Sequence, residues 1–249
     1  MSKPLSGKVA LVTGGSRGIG AATTRALSAA GATVAFSYSS SSEKAEALAA
    51  EILAAGHEAV AFYADQGDPK QVGELVRAVA DRFGRLDILV NNAGALILGQ
   101  IDADDRDQDS VDRVVDLNVR GVATAVSAAA KVMGDGGRVI SIGSSAADRV
   151  SFAGMGDYAA TKAAVAAYTR GWARDLGKRN ITVNVIQPGP INTDMNPESG
   201  PFSEAVRSAT ALGRFGQPHE VAAAVVFLAS PEASFITSST VNVDGGINA

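Results

Sequence analysis

The stretch VALVTGGSRGIG, residues 9–20, decides how this chain folds. An apolar run enters Thr13 and a glycine-rich turn, and the residues from Ile19 to Ala30 then follow an alanine-rich helical pattern. A buried strand turning through glycines into a helix N-terminus opens a dinucleotide-binding fold. Backbone N–H groups and the positive end of the helix converge there on a pyrophosphate. Glycine suits such a turn because a Cβ would hold the backbone away from the phosphate. Gly14, Gly18 and Gly20 are spaced G-x3-G-x-G, not the G-x-G-x-x-G of the common fingerprint. The turn's place between first strand and first helix therefore carries the reading.

Outward from that turn, apolar runs alternate with helical patterns along the chain. Residues 33–37, 59–63, 86–90, 138–142, 182–186 and 240–243 read as further strands. Helical patterns cover 43–55, 69–83, 110–133, 157–176 and 221–228. Gly31 and Gly56 close the first two helices, and Asp68-Pro69 supplies an N-cap and a first-turn proline for the third. Strands buried on both faces and separated by helices make βαβ units, hence an α/β fold with a parallel sheet. No proline-rich linker or internal repeat interrupts the pattern, so residues 1–249 read as one domain. The acidic segment IDADDRDQDS, residues 101–110, reads as a solvated loop, and no metal site is expected.

The bulk numbers agree with a large globular core: 249 residues, 46% hydrophobic and 19% charged. A net charge of -4 argues against a nucleic acid or an acidic membrane as partner, since either calls for a basic face. The absence of cysteine excludes disulfides, thiol nucleophiles and cysteine-held metal, and it suits a reducing cytosol. The first apolar run meets glycines too early for a signal peptide, and no stretch approaches the length of a membrane span. A soluble cytoplasmic protein is expected.

Further landmarks follow in order: Asn91-Asn92-Ala93-Gly94, the serine pair Ser144-Ser145, Tyr158 with Lys162, and Pro188-Gly189. With the glycine turn they resemble the short-chain dehydrogenase/reductase family, whose landmarks are T-G-x3-G-x-G, N-N-A-G, a serine, Y-x3-K and P-G. The match covers nearly the whole chain. The resemblance implies a Rossmann-like doubly wound sheet of seven parallel strands, ordered 3-2-1-4-5-6-7, with helices on both faces. It places a cofactor against Gly14, Ser16, Arg17, Gly18, Ile19 and Gly20. Asp65, with Gln66 beside it, would meet adenine, and Asn92, Ala93 and Gly94 would line a ribose. Pro188, Gly189, Ile191 and Thr193 would hold the nicotinamide carboxamide.

Residues 36–44, FSYSSSSEK, bear on which nicotinamide cofactor is used. NAD enzymes tend to place an acid after the second strand to hold both ribose hydroxyls, and NADP enzymes leave that position uncharged or basic. Tyr38 stands at the acid position, Ser39 and Ser40 follow, and no acid precedes Glu43. Arg17 can fork onto a phosphate from within the turn. Both features favour NADP(H) over NAD(H). The serines also have a structural reading, since Ser40-x-x-Glu43 fits a capping box.

Tyr158 and Lys162 are four apart on a helix and share one face. A free phenol titrates near pH ~10, so a neighbouring cation is expected to bring it toward useful values. The resemblance implies direct hydride transfer, with Tyr158 as proton donor and a serine hydroxyl bonded to the same carbonyl oxygen. Lys162 would also bind the nicotinamide ribose, and Asn118 would steady a water beside the lysine. Ser145 lies thirteen residues before Tyr158, the more usual family spacing, and Ser144 fourteen. The strand, however, fixes register more firmly than a loop does, and the family's serine typically closes the fifth strand. Ser144 is the expected residue.

The substrate is less legible. Residues 190–212 read as a long irregular loop over the site, to which Met195 and Phe202 give an apolar face, joined by Leu96, Phe152 and Met155 from other loops. The nearest subfamily resemblance is to 3-oxoacyl-carrier-protein reductases. Of the two basic regions that dock the carrier there, only Lys178-Arg179 has a counterpart, so a small ketone or secondary alcohol competes with a carrier-bound substrate. Two alternatives stand beside an NADPH-dependent carbonyl reductase: an NAD-dependent dehydrogenase of a secondary or sugar alcohol, and a non-catalytic dinucleotide-binding sensor or scaffold. His57 and His219 read as surface residues, and Trp172 and Phe227 as core. The resemblance implies a homotetramer formed through the fourth and fifth helices and the last helix–strand segment, with Ser238 where the family often has glycine.

Overall fold

The structure, a computed structural model, describes residues 3–200 and 203–249; Pro201 and Phe202 of the expected substrate loop lie outside the described residues. The strands are β1 Val9–Val12, β2 Thr33–Tyr38, β3 Ala59–Tyr63, β4 Ile88–Asn91, β5 Arg138–Ile142, β6 Thr182–Pro188 and β7 Thr240–Val243. They form one seven-stranded sheet in the order β3-β2-β1-β4-β5-β6-β7, parallel throughout, as the family resemblance implies. β1 shows why the central strands are uniformly apolar. Ala10 and Val12 enter a core shared with α1 Gly18–Ala29, α2 Ser42–Ala54 and α8 Pro218–Ala229. Val9 and Leu11 enter the opposite core, against α3 Pro69–Phe83, α5 Gly121–Val132 and α6 Gly156–Leu176. Successive side chains on a strand point to opposite faces, and here helices cover both.

Several boundaries follow from end chemistry. Asp68 accepts from the N–H groups of Lys70 and Gln71 at 2.9 and 3.3 Å with Pro69 behind it, as expected. At α2 the expectation fails. The N-cap is Ser41, its side chain makes no cap bond, and the Ser40–Glu43 box does not form. Glu43 instead lies within the first turn, where its charge faces the helix dipole. The helix expected over 110–133 begins as α4 Gln108–Val115 and widens into a π-turn, Asp116–Arg120, before α5. The expected irregular stretch contains α7 Ser203–Ala209, which has no buried residue and so left no apolar pattern to read.

Phe227 corrects the core assignment. The buried stripe of α8 is Val221, Ala222, Val225, Leu228 and Ala229, and Phe227 falls outside it, half exposed. Trp172 is partly buried against the core. Ser238 has φ +62°, the left-handed region that favours glycine, which gives the departure noted in the sequence a backbone meaning. Among the described residues, no helix is long and apolar enough to cross a membrane.

Candidate active site

The chain runs from β1 outward through β2 and β3, then returns to the other side of β1 at β4. That reversal opens a crevice at the carboxyl ends of β1 and β4, where the glycine turn and the Asn91–Gly94 segment meet. Thr13 Oγ1 accepts from the N–H groups of Asn92 and Ala93 at 3.0 and 3.1 Å. Asn92 Nδ2 donates back to the carbonyls of Thr13 and Gly14 at 2.9 and 3.0 Å. The two motifs therefore lock each other, leaving no room for side chains between them. A Cβ on Gly14, which has φ +62°, would lie 2.9 Å from Ala93 Cα, and one on Gly20 would lie 2.3 Å from the Gly14 oxygen. Gly15, absent from the sequence-derived candidates, is as tightly placed: its Cβ would come within 2.5 Å of Phe36 Cβ.

The leading N–H groups of α1, from Gly18 to Gly20, have no carbonyl a turn behind them within the helix, and its first turn carries no acid. This cradle fits an anion such as a pyrophosphate. Arg17, at the N-cap, is exposed and caps nothing with its side chain, and Ser16 beside it is partly exposed. Tyr38 meets Tyr63 edge-on at 6.0 Å, and Ser39 and Ser40 are exposed beyond it. Asp65 is engaged with Arg113, which donates to both carboxylate oxygens at 2.6 and 2.7 Å. Gln66 is buried, packed against Gly121 at the start of α5. Across the turn, Thr193 overlies Gly18, so close that a Cβ there would be 3.4 Å from its methyl. Gly189 packs on the Asp244 backbone, Pro188 ends β6, and Ile191 is buried. Lys44 and Asp194, 3.3 Å apart, join α2 to this loop through an exposed ion pair that sequence reading had no means of finding.

Deeper in the crevice, α6 presents Tyr158 and Lys162 on one face, with Lys162 Nζ 5.8 Å from the Tyr158 ring centroid. Lys162 is buried and donates to the Ile142 carbonyl at 3.0 Å. Burial lowers its pKa to about 8. Tyr158 departs from expectation. Burial raises its pKa above the ordinary phenol value, and the Ser144 hydroxyl only partly opposes that. Burial outweighs whatever help comes from the Lys162 ammonium, which is itself bonded to the Ile142 carbonyl.

The two serines are now distinct. Ser144 Oγ accepts from the Ala146 N–H at 3.1 Å, which leaves its O–H free to donate, and its hydroxyl works against the rise in the Tyr158 pKa. Ser145 instead begins a 3-10 turn, Ser145–Ala147, and its carbonyl accepts from the N–H groups of Asp148 and Arg149, each at 3.2 Å.

Asn118 lies in the π-turn, a frequent device for aiming a side chain at a functional site. It accepts from Ala95 N–H at 2.9 Å and donates to the Ala95 carbonyl at 2.9 Å and to Thr161 Oγ1 at 3.0 Å. Thr161 in turn donates to the Tyr158 carbonyl at 2.7 Å. Gly94 fits between these groups: a Cβ on it would be 2.9 Å from Asn118 Oδ1 and 3.4 Å from Lys162 Nζ. Neither neighbour is free to yield, so Gly94→Ala is expected to cost about 1–3 kcal/mol in stability through overpacking, with a fall in kcat. Thermal denaturation and steady-state kinetics on the same preparation check both. A variant unchanged in both would mean that the pocket is not this tight.

On the substrate side, Leu96, Phe152 and Met195 are exposed, and Met155, just ahead of α6, is partly exposed. The loops bearing Leu96 and Phe152 are joined where Gly99 N–H donates to the Gly154 carbonyl at 2.9 Å. Arg106, in the acidic segment, reaches Asp157 at 2.8 Å and ties that segment to the start of α6.

A family model described as enoyl-(acyl carrier protein) reductase matches residues 14–248. A cyclic-di-GMP-binding biofilm dispersal mediator protein of Escherichia coli is 44% identical over 98% of both chains. A 3-oxoacyl-[acyl-carrier-protein] reductase of Synechocystis is 41% identical, again over 98% of each. A short chain dehydrogenase of Burkholderia cenocepacia, solved in complex with NADP, is 50% identical with a TM-score of 0.96, covering 99% of this chain and 100% of that one.

Proposed function

This chain belongs to the short-chain dehydrogenase/reductase family of NAD(P)-dependent oxidoreductases, and from that premise we propose that it reduces a ketone or 3-oxoacyl-type carbonyl to a secondary alcohol with NADPH. The observation that carries the reading is Tyr158 and buried Lys162 on one face of α6, the ammonium 5.8 Å from the phenol ring, with Ser144 just past the end of β5. Gly14, Ser16 and the α1 N-terminus would hold the cofactor's pyrophosphate, Arg17 its 2′-phosphate, and Lys162, with the Asn92–Gly94 segment, its nicotinamide ribose. Bound NADPH supplies a hydride to the carbonyl carbon.

The protein's own part is to hold and protonate the oxygen. Ser144 and Tyr158 donate to it, and Tyr158 then gives up its proton as the alcohol forms. A phenol whose pKa is raised keeps that proton at neutral pH, which suits reduction. Lys162 is cationic below about 8 and stabilises the phenolate left behind. Asn118 keeps Ala95 and Thr161 in place around this pair and would steady a water beside the lysine.

The lack of an acid between Tyr38 and Glu43, together with exposed Arg17, supports NADPH over NADH. Arg17→Ala is expected to weaken NADPH binding about 10- to 100-fold, the worth of a charge-assisted bond, and to leave NADH binding unchanged. Fluorescence titration with both cofactors measures this. Equal losses for the two would remove Arg17 from phosphate selection.

A small ketone is favoured over a carrier-bound thioester. Arg179 is committed within its own chain, donating to the carbonyls of Ala130 and Met133 and lying 3.5 Å from Asp135. Assembly as a homotetramer is supported by the exposed Phe227 and Phe235 beside α8 and by the open edge of β7. The function is tested by incubating the protein with NADPH and ketones such as acetophenone and ethyl acetoacetate, then resolving the products by chiral chromatography. One alcohol enantiomer in excess is expected. Binding of NADPH or cyclic-di-GMP without turnover of any ketone would instead indicate a sensor.

A further inference from the structure

The C-terminal residues support the loop that carries Ser144. Asp244 Oδ1 accepts from Gly246 N–H at 2.9 Å, and the turn so formed carries Ile247 into the core, 9% exposed. From there two hydrogen bonds run in opposite directions. Asn248 Nδ2 donates to the Ser145 carbonyl at 2.9 Å, and Arg149 Nη1 donates to the Ile247 carbonyl at 3.1 Å. Between them lies the 3-10 turn whose Ala146 N–H donates to Ser144 Oγ. The same segment touches the end of the substrate loop, where Leu212 N–H donates to the Gly245 carbonyl at 3.1 Å.

Packing alone does not account for Asn248. Its Oδ1 is buried without a partner, an arrangement that costs stability, whereas an apolar side chain would leave no such acceptor. What the amide gains is the bond to Ser145. That carbonyl then receives three donors, Asp148 N–H, Arg149 N–H and Asn248 Nδ2, and the turn is held from within and from without. Because Ala146 N–H occupies an acceptor site of Ser144 Oγ, the position of this turn sets where the serine's own proton points.

We propose that Asn248, with Arg149 as the returning half of the clamp, is a positioning residue for Ser144. The proposal rests on the reading of Ser144 as a donor to the substrate carbonyl. A loosened turn lets Oγ swing, and a donor displaced by a fraction of an ångström stabilises developing charge less well.

A double-mutant cycle on the full chain tests it, with acetophenone (or ethyl acetoacetate, if that is the faster substrate) and NADPH. Ser144→Ala is expected to lower kcat about 10²-fold, as loss of an oxyanion donor does. Asn248→Ala is expected to lower kcat about tenfold with KM and NADPH affinity unchanged, and to add nothing further in the Ser144→Ala background. Arg149→Ala breaks the clamp from the other side and should behave the same way, which guards against a single variant that folds poorly. Wild-type kcat in both clamp variants, or an equal loss with Ser144 already removed, overturns the proposal. A Ser144→Ala protein with full kcat would overturn the underlying reading of the serine and the proposal with it.

Discussion

Tyr158→Phe is expected to lower ketone reduction about 10³-fold while leaving the fold and the affinity for NADPH intact. The ring contributes packing on α6 and the hydroxyl contributes chemistry, so phenylalanine separates the two. Burial holds the phenol protonated at neutral pH, and this side chain is therefore the proton source when the carbonyl oxygen takes on charge. Ser144 would remain as a donor but has no comparable acid to give, which is why a residue of activity and not total loss is expected. KM should move little, because the missing interaction strengthens as charge develops on the oxygen. Unchanged turnover of every accepted ketone in steady-state assays would remove Tyr158 from the mechanism.

Lys162→Met is the second large effect, and it has two signs. Activity should fall about 10²-fold, because the cation that stabilises the phenolate is gone. The wild-type rate of reduction should also decline as pH rises through about 8, where Lys162 loses its proton, and the variant should lack that limb. Stability should move the other way. Burial drops the lysine pKa from 10.5 to about 8, so at neutral pH the folded chain bears about 3 kcal/mol against the charged form. The unfolded chain holds its proton up to about 10.5, so this cost shrinks as pH climbs from about 8 to 10.5 and the native state gains stability across that window. Methionine removes the charge at similar length, so the variant should melt above the wild type at neutral pH. Scanning calorimetry checks this, and a lower melting temperature would mean that Lys162 does more for the fold than donate to Ile142.

How much of this was legible in the sequence varied with the kind of signal. The strands and most helices were readable because each strand is a short apolar run and a buried helix repeats its apolar positions, as in β1 and in α8 with Val221, Val225 and Leu228. The order of the strands in the sheet came instead from the family resemblance. The π-turn at Asn118 was not, because one extra residue in a helical turn leaves the surrounding periodicity nearly intact. Ser144 was preferred to Ser145 by trusting strand register over loop length, whereas the Ala146 N–H that Ser144 Oγ accepts is a contact no sequence pattern announces. Spacing brings Lys162 onto the face of Tyr158, but only the fold shows the burial that works against that cation and raises the phenol's pKa. Contacts such as Arg106–Asp157, Asp65–Arg113 and Asn248–Ser145 join residues far apart in sequence, and no local pattern announces them.

Reduction of acetophenone or ethyl acetoacetate with NADPH deuterated at one face of the nicotinamide C4 tests hydride transfer at this site most directly. The expected product is an alcohol carrying deuterium on the carbinol carbon with one C4 epimer of the cofactor and none with the other. An alcohol free of deuterium with both epimers would contradict the account.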